Sequence, residues 1–231
     1  MATKQLVESV RFVELMKGLR PESSVVQRVI TADGVQYVFA LGKQGRLAVL
    51  LGVYPAEELA HAALERKTQL MMIGPTPVAE RVGDELLVFG NPSMPTSGSV
   101  MFRRTNVMAI FSGDVTTVER LRLAKHIDDA LQEESAEVKH TDNISPPKIA
   151  AVRLPAVVLR KETVEAEIEI ENADAAALQF GSTSGGASFK TGHKPVLIYT
   201  APAEQMEATF DIVAVTPGHL IVRRTVKVQV Q

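Results

Sequence analysis

Apolar residues in the first half of the chain follow two different spacings in turn. Between residues 3 and 18 they recur every three or four positions, which predicts an amphipathic helix. Residues 24–32 and 35–42 are instead rich in β-branched and aromatic residues. They meet at Asp33-Gly34, a dipeptide that accepts the backbone angles of a tight hairpin turn. The predicted elements that follow are a strand over residues 46–53 and a helix from Tyr54 to about Met72.

A similar order of elements then returns. A strand over residues 85–89 leads into a Pro/Ser/Gly-rich loop at 90–98, and Asp114 is placed to cap the last helix. The remaining predicted elements are strands over residues 99–102 and 107–111 and a helix over 115–131. Val49–Leu59 and Ile110–Leu121 share the order strand, glycine, helix start, which leaves a strand-strand-helix pseudo-repeat and a non-repeating arrangement equally open. Either arrangement predicts an α+β domain, an antiparallel sheet with covering helices.

The composition changes between about residues 132 and 148. This stretch is polar, has little apolar periodicity and ends in Pro146-Pro147, a pair that favours extended backbone. We therefore predict two domains joined by a linker. The predicted boundaries are an α+β domain over residues 1–133, a linker over 134–148 and a second domain over 149–231.

The helical spacing disappears in the second domain. Residues 149–231 divide into about seven short strands separated by turn-forming residues such as Thr216-Pro217-Gly218, a pattern typical of an all-β immunoglobulin-like sandwich. Within one of these strands, glutamates occupy every second position from Glu165 to Glu171, so all of them share one face. We expect this face to be solvated and to pair across the sheet with Arg223 and Lys227 of the last strand.

Composition and charge exclude several classes of function. A formal net charge of -2 gives no electrostatic basis for binding nucleic acid or an anionic membrane surface. No apolar run approaches the roughly 18 residues of a membrane helix, so we expect no membrane span. The chain has no cysteine, which excludes disulfides, thiolate metal sites and a cysteine nucleophile. Charged Glu8, Arg11 and Glu14 break the N-terminal apolar stretch, so it is no signal peptide, although a leader removed ahead of Met1 remains compatible with the sequence.

Few residues in the sequence have the spacing of a metal-binding, catalytic or ligand-binding site. The five histidines lack the spacing of metal ligands, so we predict no metal, no cofactor and no catalytic residue. Arg103, Arg104 and Asn106 form the candidate ligand-binding group, because two guanidinium groups beside an asparagine suit a carboxylate or phosphate. An alternative is a hydrogen-bonded turn whose charges protect a strand edge.

The end of the first domain resembles a known group of proteins. The order of Val82-Gly83-Asp84-Glu85, the strand Phe102–Val107 and the helix Leu123–Leu131 resembles small α+β domains of exported bacterial proteins and lipoproteins. In those domains an "FRRGN" strand precedes an "LAxxID" helix. Thr105 stands where the glycine is usual. This resemblance covers about fifty residues and implies a binding or sensing domain.

The second domain resembles bacterial immunoglobulin-like repeats over its whole length. Gly185-Gly186, Tyr199-Thr200-Ala201-Pro202 and the strand Thr209–Val215 correspond to the "GG…YTAP…TxTITV" ending of those repeats. The tryptophan common early in such domains is absent, because this chain has none. The resemblance implies a cell-surface, adhesive or scaffolding role outside the cytoplasm.

Together these observations favour a non-catalytic binding or assembly protein, exported or attached to the cell surface, whose partner is another protein. One alternative is an enzyme or small-ligand sensor with a site near the 90–98 loop, using Arg103, Arg104, Asp84 or Glu85. Another is a structural subunit of a phage or envelope assembly. Open strand edges would also allow oligomers to form.

Overall fold

The computed structural model describes residues 9–71, 73–91, 94–137, 147–172, 178–182, 186–190, 196–216 and 219–231. Its helices are α1 (Ser9–Leu19), α2 (Glu57–Gln69) and α3 (Thr117–Glu137). The strands of the first half are β1 (Ser24–Thr31), β2 (Gly34–Ala40), β3 (Arg46–Val53), β4 (Glu85–Asn91), β5 (Met94–Arg104) and β6 (Val107–Gly113). Those of the second half are β7 (Lys148–Arg153), β8 (Val157–Val158), β9 (Thr163–Glu171), β10 (Gln179–Ser182), β11 (Ala187–Lys190), β12 (Val196–Thr200), β13 (Met206–Val215) and β14 (Ile221–Val230).

The described residues are therefore rich in strands, and they group into two compact units. The first unit comprises those within residues 1–29, 33–141 and 218–220, and the second comprises those within 30–32, 142–217 and 221–231. Helix α3 continues to Glu137, beyond the residue 133 at which the sequence predicts the first domain to end. The rest of the predicted linker, up to residue 146, lies outside the described residues.

The first unit is built on one six-stranded sheet with the order β1-β2-β3-β6-β5-β4. Strands β3 and β6 pair antiparallel at its centre, with Val49 opposite Phe111 and Leu51 opposite Ala109. Each of these central strands is followed along the chain by a helix, α2 or α3. Val49 and Phe111 are both fully buried. Since alternate residues of a strand share one side of the sheet, they identify a buried face of this sheet.

Two local predictions in this unit need correction. The turn between β1 and β2 consists of Ala32 and Asp33, while Gly34 is already the first residue of β2. Gly34 has a φ of 139°, and a Cβ there would lie 2.3 Å from the carbonyl oxygen of Leu51. Glycine is thus needed for a close approach of two backbones. Asp114 does not cap α3: its carboxylate accepts the backbone N–H of Arg46 at 2.8 Å, and the hydroxyl of Thr116 accepts the N–H of Glu119 at 3.3 Å.

The loop predicted at residues 90–98 is also different in the structure. Strand β4 continues to Asn91 and β5 begins at Met94, so most of this stretch belongs to a hairpin. Pro92 and Ser93 lie outside the described residues. A longer stretch separates α2 from β4, and its described residues belong to no helix or strand. We call residues 70–84 the α2–β4 segment, within which Met72 lies outside the described residues.

The second unit contains two four-stranded sheets, with the orders β10-β13-β14-β8 and β11-β12-β9-β7. Residues of both sheets form one apolar core, which gives the unit a sandwich-like layering. At its centre the rings of Tyr199 from β12 and Phe210 from β13 stack with centroids 4.8 Å apart. Burial of two large aromatic side chains in this way stabilises the unit through the hydrophobic effect and ring packing.

The predicted partners of the glutamate face on β9 are wrong. Glu171 pairs with Lys148 at 2.6 Å and Glu165 with Lys190 at 3.1 Å, so these carboxylates use neighbours within their own sheet. Strand β14, which carries Arg223 and Lys227, belongs to the other sheet, and those two residues pair with Asp211 and Glu207 of β13. Alternation correctly placed the glutamates on one face, but it carries no information about which sheet lies beside them.

Candidate functional site

The candidate site lies at the turn between β5 and β6. Thr105 adopts a left-handed conformation with a φ of 48°, and its backbone N–H donates to the carboxylate of Asp84 at 2.6 Å. The side-chain amide of Asn106 donates to the carbonyl oxygen of Tyr54 at 2.7 Å. Asn106 therefore fixes the turn to the end of β3 and is itself buried.

Arg103 is almost fully buried beside α2. Its guanidinium group lies 2.7 Å from the carboxylate of Glu57, at the start of α2, and it also pairs with Glu85 of β4. A further N–H donates to the carbonyl oxygen of Thr105 at 2.8 Å. The side chain thus connects a helix, a neighbouring strand and the turn.

Arg104 makes the equivalent contact with α3. Its Nε and Nη2 atoms lie 2.7 and 2.6 Å from the two carboxylate oxygens of Asp128, which is a bidentate arrangement. Asp128 is only 2% exposed, and it also accepts the backbone N–H of Gly83 at 2.9 Å. Consecutive residues of a strand project to opposite faces of a sheet, so the two arginines attach α2 to one face and α3 to the other.

These pairs govern the protonation of the acids involved. Burial by itself raises the pKa of Glu85 and Asp128. Hydrogen bonds from Arg103 and His61 to Glu85, and from Arg104 and Gly83 to Asp128, outweigh that effect and lower the pKa of each acid below its ordinary value. Both carboxylates therefore remain ionised at neutral pH and stay paired with the guanidinium groups.

Sequence reasoning missed His61, which belongs to the same group. Its Nδ1 atom lies 2.9 Å from Glu85, and its Nε2 atom lies 3.5 Å from Glu65, one turn further along α2. The spacing of His61 and Glu65 on a helix was visible in the sequence. The contact with Glu85 was not, because it depends on α2 lying over the edge of β4 and β5.

Sequence reasoning also missed Arg120, which is completely buried in the first turns of α3. It donates to the carbonyl oxygen of Gly113 at 2.8 Å and to the carbonyl oxygens of Thr96 and Ser97 in the β4–β5 hairpin. Burial lowers the pKa of its guanidinium group, and its Nε has no hydrogen-bond partner among the described residues. Arg120 thus ties the hairpin to the start of α3 through backbone oxygens.

The arrangement sets a condition on any ligand at the predicted site. The structure brings Arg103, Arg104 and Asn106 into one turn, where the two guanidinium groups lie 3.7 and 3.2 Å from the carboxylate of Asp84. Each group also pairs with an acid of a different helix, Arg103 with Glu57 and Arg104 with Asp128. An anion would have to compete with the carboxylates that already lie at these groups, which are Glu57, Asp84, Glu85 and Asp128. A ligand-binding role for these residues stays a prediction.

Neither a metal-binding cluster nor a membrane-spanning helix occurs among the described residues. Among them there is no group of three or more histidine, aspartate or glutamate side chains that could hold a metal ion. Within the same residues, no helix is both long enough and apolar enough to cross a membrane.

Comparisons with known proteins give little further information. No family model matches the chain, and no curated protein matches it. Among solved structures, it is similar to a chimeric titin Z1Z2-Z1Z2 tandem functionalised with a GRGDS peptide from fibronectin. That match covers 90% of this chain and 99% of the tandem at 8% sequence identity, with a TM-score of 0.29. At these values the similarity supports no conclusion about fold or function, and the chain is assigned to no family.

Proposed function

We propose that this protein is a non-catalytic binding or assembly protein that acts outside the cytoplasm. Its first unit is an α+β recognition domain for another protein. Its second unit is an immunoglobulin-like module that spaces or docks the first. The resemblances of residues 82–131 and 149–231 to bacterial domains support the location and the division of roles.

The observation that carries the proposal is the exposure of apolar side chains along the α2–β4 segment. Leu70 is 76% exposed and Ile73 is 51% exposed, and Val78 is also among the exposed large apolar residues. The three residues lie within nine positions of one another along the chain. Exposed apolar surface of this kind, where it is contiguous, marks sites of protein association.

The segment is also held in place, which favours a preformed binding surface. The backbone N–H of Thr76 donates to the carbonyl oxygen of Val88 in β4 at 2.6 Å. Pro75 and Pro77 flank that contact and restrict the backbone on either side. A segment that is already ordered loses less conformational entropy when it binds.

The paired arginines favour binding over catalysis. Arg103 and Arg104 were the strongest candidates for chemistry in the sequence, and in the structure they hold helices onto the sheet. An acid or base in such a network is fixed in one ionisation state by its partner, whereas a catalytic group must change its state during turnover.

The proposal is tested by retention of a partner from envelope fractions of the source organism. The intact chain is compared with a double variant, Leu70→Ser and Ile73→Ser, and with Val118→Ser as a matched control. Val118 is an equally exposed apolar residue on α3, at 77%. We expect mass spectrometry to find the same retained protein with the intact chain and the control, and to find it lost with the double variant.

Equal retention of the partner by all three proteins would show that Leu70 and Ile73 of the α2–β4 segment do not bind it. Turnover of a substrate by the folded chain would contradict the non-catalytic role. Fractionation of cells that express the full-length gene product checks its location separately. Product confined to the cytosol would contradict the proposed export.

A further inference from the structure

The two edges of the six-stranded sheet are protected to different degrees. At β4, the carbonyl oxygen of Val88 accepts the N–H of Thr76, and a bulge between Phe89 and Asn91 makes the strand irregular. At the other edge, five of the six side chains from Ser24 to Val29 are exposed. Exposure of successive residues shows that both faces of β1 are accessible to solvent.

Strand β1 also lacks the residues that normally discourage pairing of an exposed edge. It contains neither proline nor glycine, and two of its valines, Val26 and Val29, are among the exposed apolar residues. Its one charged residue, Arg28, is directed onto its own sheet. The guanidinium carbon lies 5.7 Å from the centre of the Tyr37 ring, and Nε lies 3.4 Å from the hydroxyl oxygen.

We propose that β1 pairs antiparallel with β1 of a second copy of the chain, about a two-fold axis at Gln27. Only every second residue of an edge strand directs its N–H and C=O outward, so a symmetric antiparallel pair must be centred on a residue. Centring on Arg28 would place two like charges opposite each other, and centring on Val26 would place Val25 opposite Gln27.

Centring on Gln27 makes one face of the paired strands self-complementary and places Val26 opposite Arg28 on the other face. Val25 of each copy lies opposite Val29 of the other, and the two Gln27 amides face each other across the axis. Amide pairs exchange hydrogen bonds, and pairs of β-branched residues are favourable cross-strand neighbours. The result joins two six-stranded sheets into one continuous sheet.

The contact is short, so the association should be weak and concentration-dependent. One strand edge buries less than the roughly 1,200 Å² typical of stable interfaces. This self-association goes beyond the proposed binding function and does not depend on it. A monomeric protein would leave that function untouched.

The test is sedimentation velocity of the full chain over a concentration series. We expect the wild-type chain to shift from monomer to dimer as concentration rises. Gln27→Glu and Gln27→Lys each place like charges opposite each other at the axis, so each variant alone should dimerise about tenfold more weakly. An equimolar mixture of the two variants should recover dimerisation, because Glu then faces Lys.

Gln179→Glu is the matched control, since Gln179 is an exposed glutamine on the edge strand β10. It should dimerise like the wild type. Circular dichroism spectra that match the wild type confirm that the variants are folded. A wild-type chain that stays monomeric throughout the series overturns the proposal, as does unchanged dimerisation of the Gln27 variants. Weakened single variants whose mixture does not recover overturn the register at Gln27.

Discussion

Ion pairs in the two units use the same residue types in different surroundings. In the first unit, Arg103 and Arg104 contact carboxylates on elements that lie 18 to 46 residues away, and Asp128 is buried. In the second unit, pairs such as Lys190 of β11 with Glu165 of β9 join strands of the same sheet, and each side chain is 58% exposed. Identical chemistry therefore attaches helices in one unit and covers a solvated face in the other.

The difference shows that burial, rather than the number of pairs, decides what an ion pair contributes. Removing one partner of a buried pair leaves a charge that water cannot solvate, which is costly. Removing one partner of an exposed pair leaves a charge that water solvates readily. Buried pairs of the first unit, such as Arg104 with Asp128, should thus be sensitive to substitution, and exposed pairs of either unit should contribute almost nothing to stability.

The largest effect is expected at Asp128. Asp128→Ala leaves Arg104 without its bidentate partner and removes the acceptor for the N–H of Gly83. We expect a loss of about 3 kcal/mol in the free energy of unfolding, measured by urea denaturation. Asp129→Ala is the matched control, because the neighbouring Asp129 is half exposed and pairs with Lys125 on the surface of α3. A loss at Asp128 no larger than that at Asp129 would contradict this view of the buried pair.

A smaller effect is expected from acid. Folding lowers the pKa of Glu85 and Asp128 from their ordinary values of 4.5 and 3.8, so the folded state binds fewer protons than the unfolded state. Their contribution is present above those values and is lost as the pH falls through the lower, folded pKa values. Urea denaturation between about pH 6 and about pH 3 should show this loss. Asp128→Asn should flatten the pH dependence, and an unchanged slope would argue against a role for this acid.

The smallest effect is expected in the second unit. Lys190→Ala breaks the exposed pair with Glu165 and should change the free energy of unfolding by less than about 0.5 kcal/mol. The same urea denaturation measures it, and added salt should reduce even this small change. A loss of unfolding free energy as large as that expected for Asp128→Ala would contradict the view that exposed pairs contribute little to stability.

The sequence predicted the elements better than their partners. Apolar spacing located α2, α3 and most strands, because each element must present an apolar side to a core. Spacing correctly grouped the glutamates of β9 on one face, but the predicted pairs with β14 were wrong, since sheet membership depends on long-range packing. The sequence also placed Arg103 and Arg104 together on one strand, but their pairing with Glu57 of α2 and Asp128 of α3 depends on where the helices pack against the sheet. Arg120 gave no signal, because a buried arginine bonded to carbonyl oxygens looks like any other charged helix residue.

The adjacency of Arg103 and Arg104 also limits how the length of this protein can vary. Inserting one residue into β5 ahead of Arg103 would exchange the faces of both side chains, so that each would point toward the helix that lacks its acid. A deletion at the same place would have the same result. The α2–β4 segment is not part of a strand. An added or missing residue among its exposed positions would therefore exchange no side chains between the two faces of a sheet. Among related chains, we expect gaps in an alignment to fall between α2 and β4 and to be excluded from the strand that carries the two arginines.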